Sequence, residues 1–223
     1  MEVKSRKIVA FTLAEVLITL GIIGVVVALT MPSLIQNYRK HVVETKLARV
    51  YSVMNQAIKM VSAEYGEPNV WMKDCGVTMS TTCTSDEAIE WFKTYTGKYL
   101  KTLKIIPAEE KPRFLVYFPD GSILSISNAL YDTLYCIDEK AYKNQKTGIN
   151  SFAFRFNPLE KNKTIEKIEA KDYFEPYYHD WDGKRESLFT HSTFGCHDNA
   201  GTYCTKLIQI NGWKVPEDYP FKF

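Results

Sequence analysis

The sequence predicts an α+β chain: a long N-terminal α-helix, membrane-spanning in its first half, packed on an antiparallel β-sheet head. Three observations predict it. From Ile8 to Met31 the chain runs for membrane length with one ionisable side chain, Glu15. Apolar residues then recur every three or four positions as far as Tyr65. Beyond Gly66 the rhythm changes to period two, in runs of Phe, Ile, Val and Tyr broken by turn residues. The 223 residues are 45% apolar and 24% charged, which excludes low-complexity disorder, a collagen-like repeat and a multi-span membrane protein. The formal charge of +2 lies entirely in the first ten residues, where Lys4, Arg6 and Lys7 oppose Glu2. The rest of the chain is neutral, so no nucleic acid partner is expected.

The long helix comes first. Its apolar positions continue past the membrane run at Leu34, Ile35, Tyr38, Val42, Leu47, Val50, Tyr51, Met54, Ile58, Val61 and Tyr65, interrupted by charges. A helix from Phe11 to Tyr65 is about 80 Å long, and lipid accommodates only about 30 Å of it. The outer half therefore projects into water. Gly66 and Pro68 supply the stop. Pro32 removes a backbone donor and predicts a kink. Gly21, Gly24 and Ala28 make a small-residue face that permits close helix contact, although ordinary membrane-helix composition explains them equally well.

Three readings compete for the N-terminal segment. A secretory signal peptide fits the basic start, the apolar stretch and the small residues Val26 and Ala28. A plain single-span anchor fits the basic flank, which holds the N-terminus in the cytoplasm. Neither explains Glu15, since a carboxylate costs roughly 2.5–3.5 kcal/mol at the centre of a membrane helix. The third reading rests on Lys7-Ile8-Val9-Ala10-Phe11-Thr12-Leu13-Ala14-Glu15-Val16-Leu17 and the apolar stretch ending at Pro32. This segment resembles the N-terminus of the type IV pilin and type II secretion pseudopilin superfamily.

The resemblance implies a leader, 1–10, cut after Ala10 by a membrane prepilin peptidase that also methylates the new N-terminus, Phe11. Ala10 departs from the usual Gly, and Ala14 from the usual Ile or Val. It further implies that Glu15 of one subunit neutralises the amino group of Phe11 on a neighbour as helices pack in a fibre, pairing two charges that are costly alone in lipid. The chain then divides into the leader, an assembly helix 11–31, an amphipathic half 32–66 and a head 67–223. The resemblance also implies the partners: other pilin or pseudopilin subunits, the peptidase, an inner-membrane assembly platform and lipid. A head of this size is large for a main shaft subunit, which points to a minor pilin or pseudopilin.

In the head, Thr84 followed by Glu87 is a capping box that opens a helix through Tyr95, stopped by Gly97. Phe114 to Phe118 turns at Pro119-Asp120-Gly121-Ser122 into Ile123 to Ile126, a β-hairpin. Leu134 to Ile137 and Ser151 to Asn157 are further strands, the latter with Phe152, Phe154 and Phe156 on one face and Ala153 and Arg155 on the other. A last strand is expected at Lys206 to Ile210, before Asn211-Gly212-Trp213. The stretch from Cys204 to Asp218-Tyr219-Pro220 resembles the C-terminus of minor pilin-like proteins. Trp71, Trp91, Trp181 and Trp213 suit either the core of the sheet domain or an adhesive patch.

Five cysteines lie beyond the membrane run, in a compartment that permits disulfides. Sequence alone does not fix their pairing. Local pairing, Cys75 with Cys83 and Cys196 with Cys204, is the expectation, leaving Cys136 a buried thiol. Zinc at His191, Cys196, His197 and Cys204 is the rival, with a spacing that fits no common pattern. Cys196-His197-Asp198 names a nucleophile, a base and an orienter, yet sequence neighbours rarely face one another as a triad must. Asp180, Asp182 and Gly183 resemble the start of a calcium loop whose later ligands are missing. Asn162-Lys163-Thr164 matches a glycosylation acceptor. No cofactor or resident metal is expected.

The leading reading is a non-enzymatic fibre subunit in the bacterial inner membrane, N-terminus cytoplasmic and head extracytoplasmic. A membrane-anchored binding module is the alternative, and a tethered hydrolase using Cys196 and His197 a third class.

Overall fold

The computed structural model describes residues 12–71, 83–109, 113–127, 132–156, 172–198 and 200–223. Helix α1 (Leu13–Tyr65) has 53 residues. The chain divides within it into two compact units, Met1–Arg39 and Lys40–Phe223.

In the first unit α1 buries nothing. Leu13, Leu17, Ile22, Val25 and Leu29 are all exposed, and the space around Gly21 and Gly24 is open. Pro32 lies inside the helix. Among the described residues α1 is the one helix long and apolar enough to cross a membrane.

In the second unit the rest of α1 turns an apolar stripe, Val43, Leu47, Val50, Met54, Ala57, Ile58 and Val61, into a buried core. Gly66 ends the helix in the left-handed region at φ 90, its N–H donating to the Ser62 carbonyl at 3.0 Å. A side chain would strain that backbone. Two short helices, α2 (Pro68–Trp71) and α3 (Ser85–Thr94), and a 3₁₀ turn at Thr96–Tyr99 follow. The expected capping box opens α3: Glu87 N–H donates to Thr84 Oγ1, and Thr84 N–H donates back to Glu87 Oε2 at 2.8 Å.

The sheet is an antiparallel meander of β1 (Lys104–Pro107), β2 (Phe114–Tyr117), β3 (Ile123–Ile126), β4 (Asp132–Cys136), β5 (Ser151–Phe156) and β6 (Phe174–Pro176), each paired with the next. The β2–β3 hairpin turns where expected, with Gly121 at φ 79. Register places Val116 opposite Leu124, Leu124 opposite Tyr135, and Tyr135 opposite Phe152. One face therefore carries a continuous apolar row onto α1, joined by Phe114, Ile126, Phe154 and Phe156. The other face carries Leu115, Ile123 and Cys136, covered by Ala141 of α4 (Glu139–Lys143).

Two short helices, α5 (Ser187–Thr190) and α6 (Cys204–Ile210), complete the chain. The strand expected at Lys206 to Ile210 is α6, a correction with a visible cause. Gly212 N–H donates to the Gln209 carbonyl and Trp213 N–H to the Ile208 carbonyl, with Gly212 at φ 70. Those two bonds are a Schellman cap, so Asn211-Gly212 ends a helix here and does not turn a hairpin. The helix seals the core with Leu207 and Ile208, both fully buried.

Candidate functional site

The first turn of α1 holds the residue that the sequence singles out. Thr12 donates from its N–H and its Oγ1 to Glu15 Oε2, both at 2.8 Å, and Glu15 N–H returns a bond to Thr12 Oγ1 at 3.3 Å. This is the same capping box that opens α3, and it places the carboxylate at the positive end of the helix dipole. Glu15 thus has a local role that the sequence reading missed, although Thr-x-x-Glu was legible at 12–15. The cap uses one carboxylate oxygen. Oε1 has no partner among the described residues, and the side chain is exposed on an otherwise apolar stretch. Ala10 and Phe11, the processing pair, lie outside the described residues.

Polar groups on the second half of α1 are answered from within the chain. Glu44 Oε1 accepts from Val215 N–H and Oε2 from Lys214 Nζ, both at 2.9 Å. Burial alone would raise its carboxyl, but Lys214 and the Val215 N–H outweigh burial and hold it below the usual range. The Asn55 amide donates to the Phe174 carbonyl at 2.8 Å and accepts from the Phe174 N–H at 3.0 Å. It thereby occupies the open edge of β6 as a further strand would. Tyr51 Oη reaches both Asp172 and Glu175 at 2.8 and 3.0 Å, while Glu175 Oε2 accepts from Gln209 at 2.8 Å. Lys206 Nζ lies 3.4 Å from the same oxygen, a buried ion pair that ties α6 to the sheet. Burial, then the charges of Glu175 and Asp172, push the Tyr51 phenol up. The signal for these groups was present: Glu44, Tyr51 and Asn55 interrupt the apolar face of α1 with polar atoms.

The cysteines carry structure. Cys196 and Cys204 are disulfide-bonded, closing a loop of sequence separation 8. Cys83 is also disulfide-bonded; Cys75, its expected partner, lies outside the described residues. Cys136 is free and buried, and burial pushes its thiol up to about 12. The Cys196–Cys204 bond overturns both the zinc reading and the hydrolase reading, since each requires a free Cys196 thiolate. His191 Nδ1 instead accepts from the Phe194 N–H at 3.2 Å, and the His197 ring lies 3.0 Å from the His191 carbonyl.

Asp180 sits beside His179 at 3.5 Å, and Asp182 Oδ1 accepts from the Lys184 N–H at 3.0 Å. The structure does not bring these aspartates together with Gly183 around a common point with other acids: no group of three His, Cys, Asp or Glu at metal-binding distance occurs among the described residues. Asn162, Lys163 and Thr164 lie outside the described residues. Trp71, Trp91 and Trp181 are buried, and Trp213 packs on Tyr51 with ring centroids 4.9 Å apart, so the tryptophans serve the core.

The fold and these elements define a class: an α+β head joined to a helix long and apolar enough to span a membrane, with a disulfide in the head. Within that class the chain belongs to the Family of unknown function (DUF6613), whose model matches residues 33–223. No curated protein and no solved structure matches the chain.

Proposed function

We propose that the chain is a non-enzymatic structural subunit, a minor pilin or pseudopilin. It enters the bacterial inner membrane with its N-terminus cytoplasmic and its head outside, and is cut after Ala10 by a prepilin peptidase. It then assembles with like subunits through α1, on an inner-membrane platform, into a type IV pilus or type II secretion pseudopilus. The observation that carries the reading is Glu15, a lone carboxylate in an exposed apolar helix with one oxygen left open among the described residues. Phe11 of a neighbour, once methylated and charged, is the complementary group.

The capping box favours a second reading, a membrane-anchored binding module in which Glu15 merely ends its own helix. Glu15→Gln separates the two, because Gln preserves a capping box and removes the charge. Measured as the share of protein in a sheared fibre fraction, with membrane insertion as control, Glu15→Gln is expected to insert and to be lost from fibres. Absence of the unaltered chain from the fibre fraction would favour the anchor reading, and full incorporation of Glu15→Gln would leave the fibre reading without its central residue.

A further inference from the structure

We propose that the head binds a small organic carboxylate with a flat apolar body, in the cavity between α1 and the β2–β3 turn. Every residue in it belongs to the second unit, and the proposal does not rest on the fibre reading. The cavity measures about 120 Å³. That is on the scale of the roughly 150 Å³ cavity that holds one benzene ring.

Its walls are apolar, formed by Val50 and Val53 of α1 and by the rings of Phe118 and Tyr135. Lys46, Arg49 and Lys101 bring three positive charges to it, against one carboxylate, Asp120. Asp120 is already committed. Its Oδ1 accepts from Ser122 N–H at 3.1 Å and Ser122 Oγ at 2.6 Å, and its Oδ2 faces Arg49 at 3.4 Å. Lys46 Nζ is positioned by two neutral acceptors, the carbonyls of Asp120 at 3.1 Å and Ile137 at 2.7 Å. An ammonium has three donors, so one remains for a ligand. Arg49 is 59% exposed and Lys101 is exposed, so the cations stand at a rim above an apolar floor. Apolar walls with a few convergent polar groups are the general design of small-molecule sites, and the surplus of positive charge selects an anion.

The structural components of the site also explain why its charge is retained. Lys46, held by two carbonyls, keeps its charge uncancelled, whereas Arg49 faces Asp120 and Lys98 in the same head is paired directly with Glu64 at 2.7 Å.

The test uses the full chain in detergent micelles, titrated with sodium benzoate and followed by NMR of the Val50 and Val53 methyl groups. Saturable one-site shifts are expected, with benzamide, uncharged and of the same shape, binding about tenfold or more weakly. Arg49→Gln with Lys101→Gln, both changes at exposed side chains, is expected to weaken benzoate about tenfold while the remaining methyl spectrum is unchanged. Val53→Phe, which fills the cavity, is expected to abolish binding. Equal affinity for benzamide, unchanged affinity in the double variant, or shifts that never saturate would each overturn the proposal.

Discussion

The two halves of α1 are one helix exposed to two surroundings. Before Arg39 the large apolar side chains stand free; after Lys40 one face of them is buried in the head, with Leu47 and Val61 fully buried while Met60 and Tyr65 stay exposed. Their carboxylates differ in the same way. Glu44 has both oxygens engaged by groups from the C-terminal segment, whereas Glu15 has one oxygen engaged by its own first turn. The second half is a finished interface. The first half satisfies only its backbone, which is what a helix in lipid or among other helices requires.

The contrast breaks most sharply on a pair of leucines. Leu47→Ala is expected to destabilise the head by about 2–5 kcal/mol, because a cavity opens in packed core. Leu17→Ala, at an exposed position, leaves the unfolding midpoint of the head unchanged. Thermal unfolding followed by near-ultraviolet circular dichroism reads both, and equal effects would erase the distinction.

Reduction of Cys196–Cys204 comes next. A loop this short contributes about 2.5 kcal/mol through the unfolded chain, so Cys196→Ser with Cys204→Ser lowers the denaturant midpoint without moving the membrane fraction. Asn55→Ala follows, at about 1–3 kcal/mol, since it leaves both backbone groups of Phe174 without the amide that answers them. Amide hydrogen exchange at Phe174 of β6 is expected to accelerate, and unaltered exchange there would count against the edge role.

The smallest effect is a pH dependence. Glu44 has a folded-state pKa below its usual 4.5, so its contribution is complete above 4.5 and is lost as pH falls through the depressed value. Glu44→Gln is expected to flatten the acid side of the stability profile below pH 4.5, and a profile identical to that of the parent chain would remove Glu44 from the account.

Much of this architecture was legible because local signals agreed with the fold. The apolar rhythm gave α1, Thr84 and Glu87 gave the start of α3, and Pro119-Asp120-Gly121-Ser122 gave the hairpin. The alternating Phe152, Phe154 and Phe156 read directly as a core-facing strand. What escaped depends on distant partners. β1 and β6 are short edges containing Pro107 and Pro176, and proline argues against a strand unless the edge is known. At 204–210 a short apolar run before Asn-Gly suits strand or helix alike, and burial against the sheet decided for helix. Glu44 and Asn55 are visible in the sequence as polar residues within the apolar rhythm, but their partners, Val215 and Phe174, come from more than a hundred residues away. The cation-rimmed cavity was hidden for the same reason, its residues coming from α1, Lys101, the hairpin and β4.

Glu15 itself was legible as an anomaly but not as a cap. Its two explanations, helix end and assembly partner, meet at the residue that precedes Thr12 by one. The most direct measurement is therefore intact-protein and N-terminal peptide mass spectrometry of the chain purified from membranes of its native cells. The account predicts a mature chain that begins at N-methylated Phe11. A chain that begins at Met1, or one cut after Ala28, would contradict it.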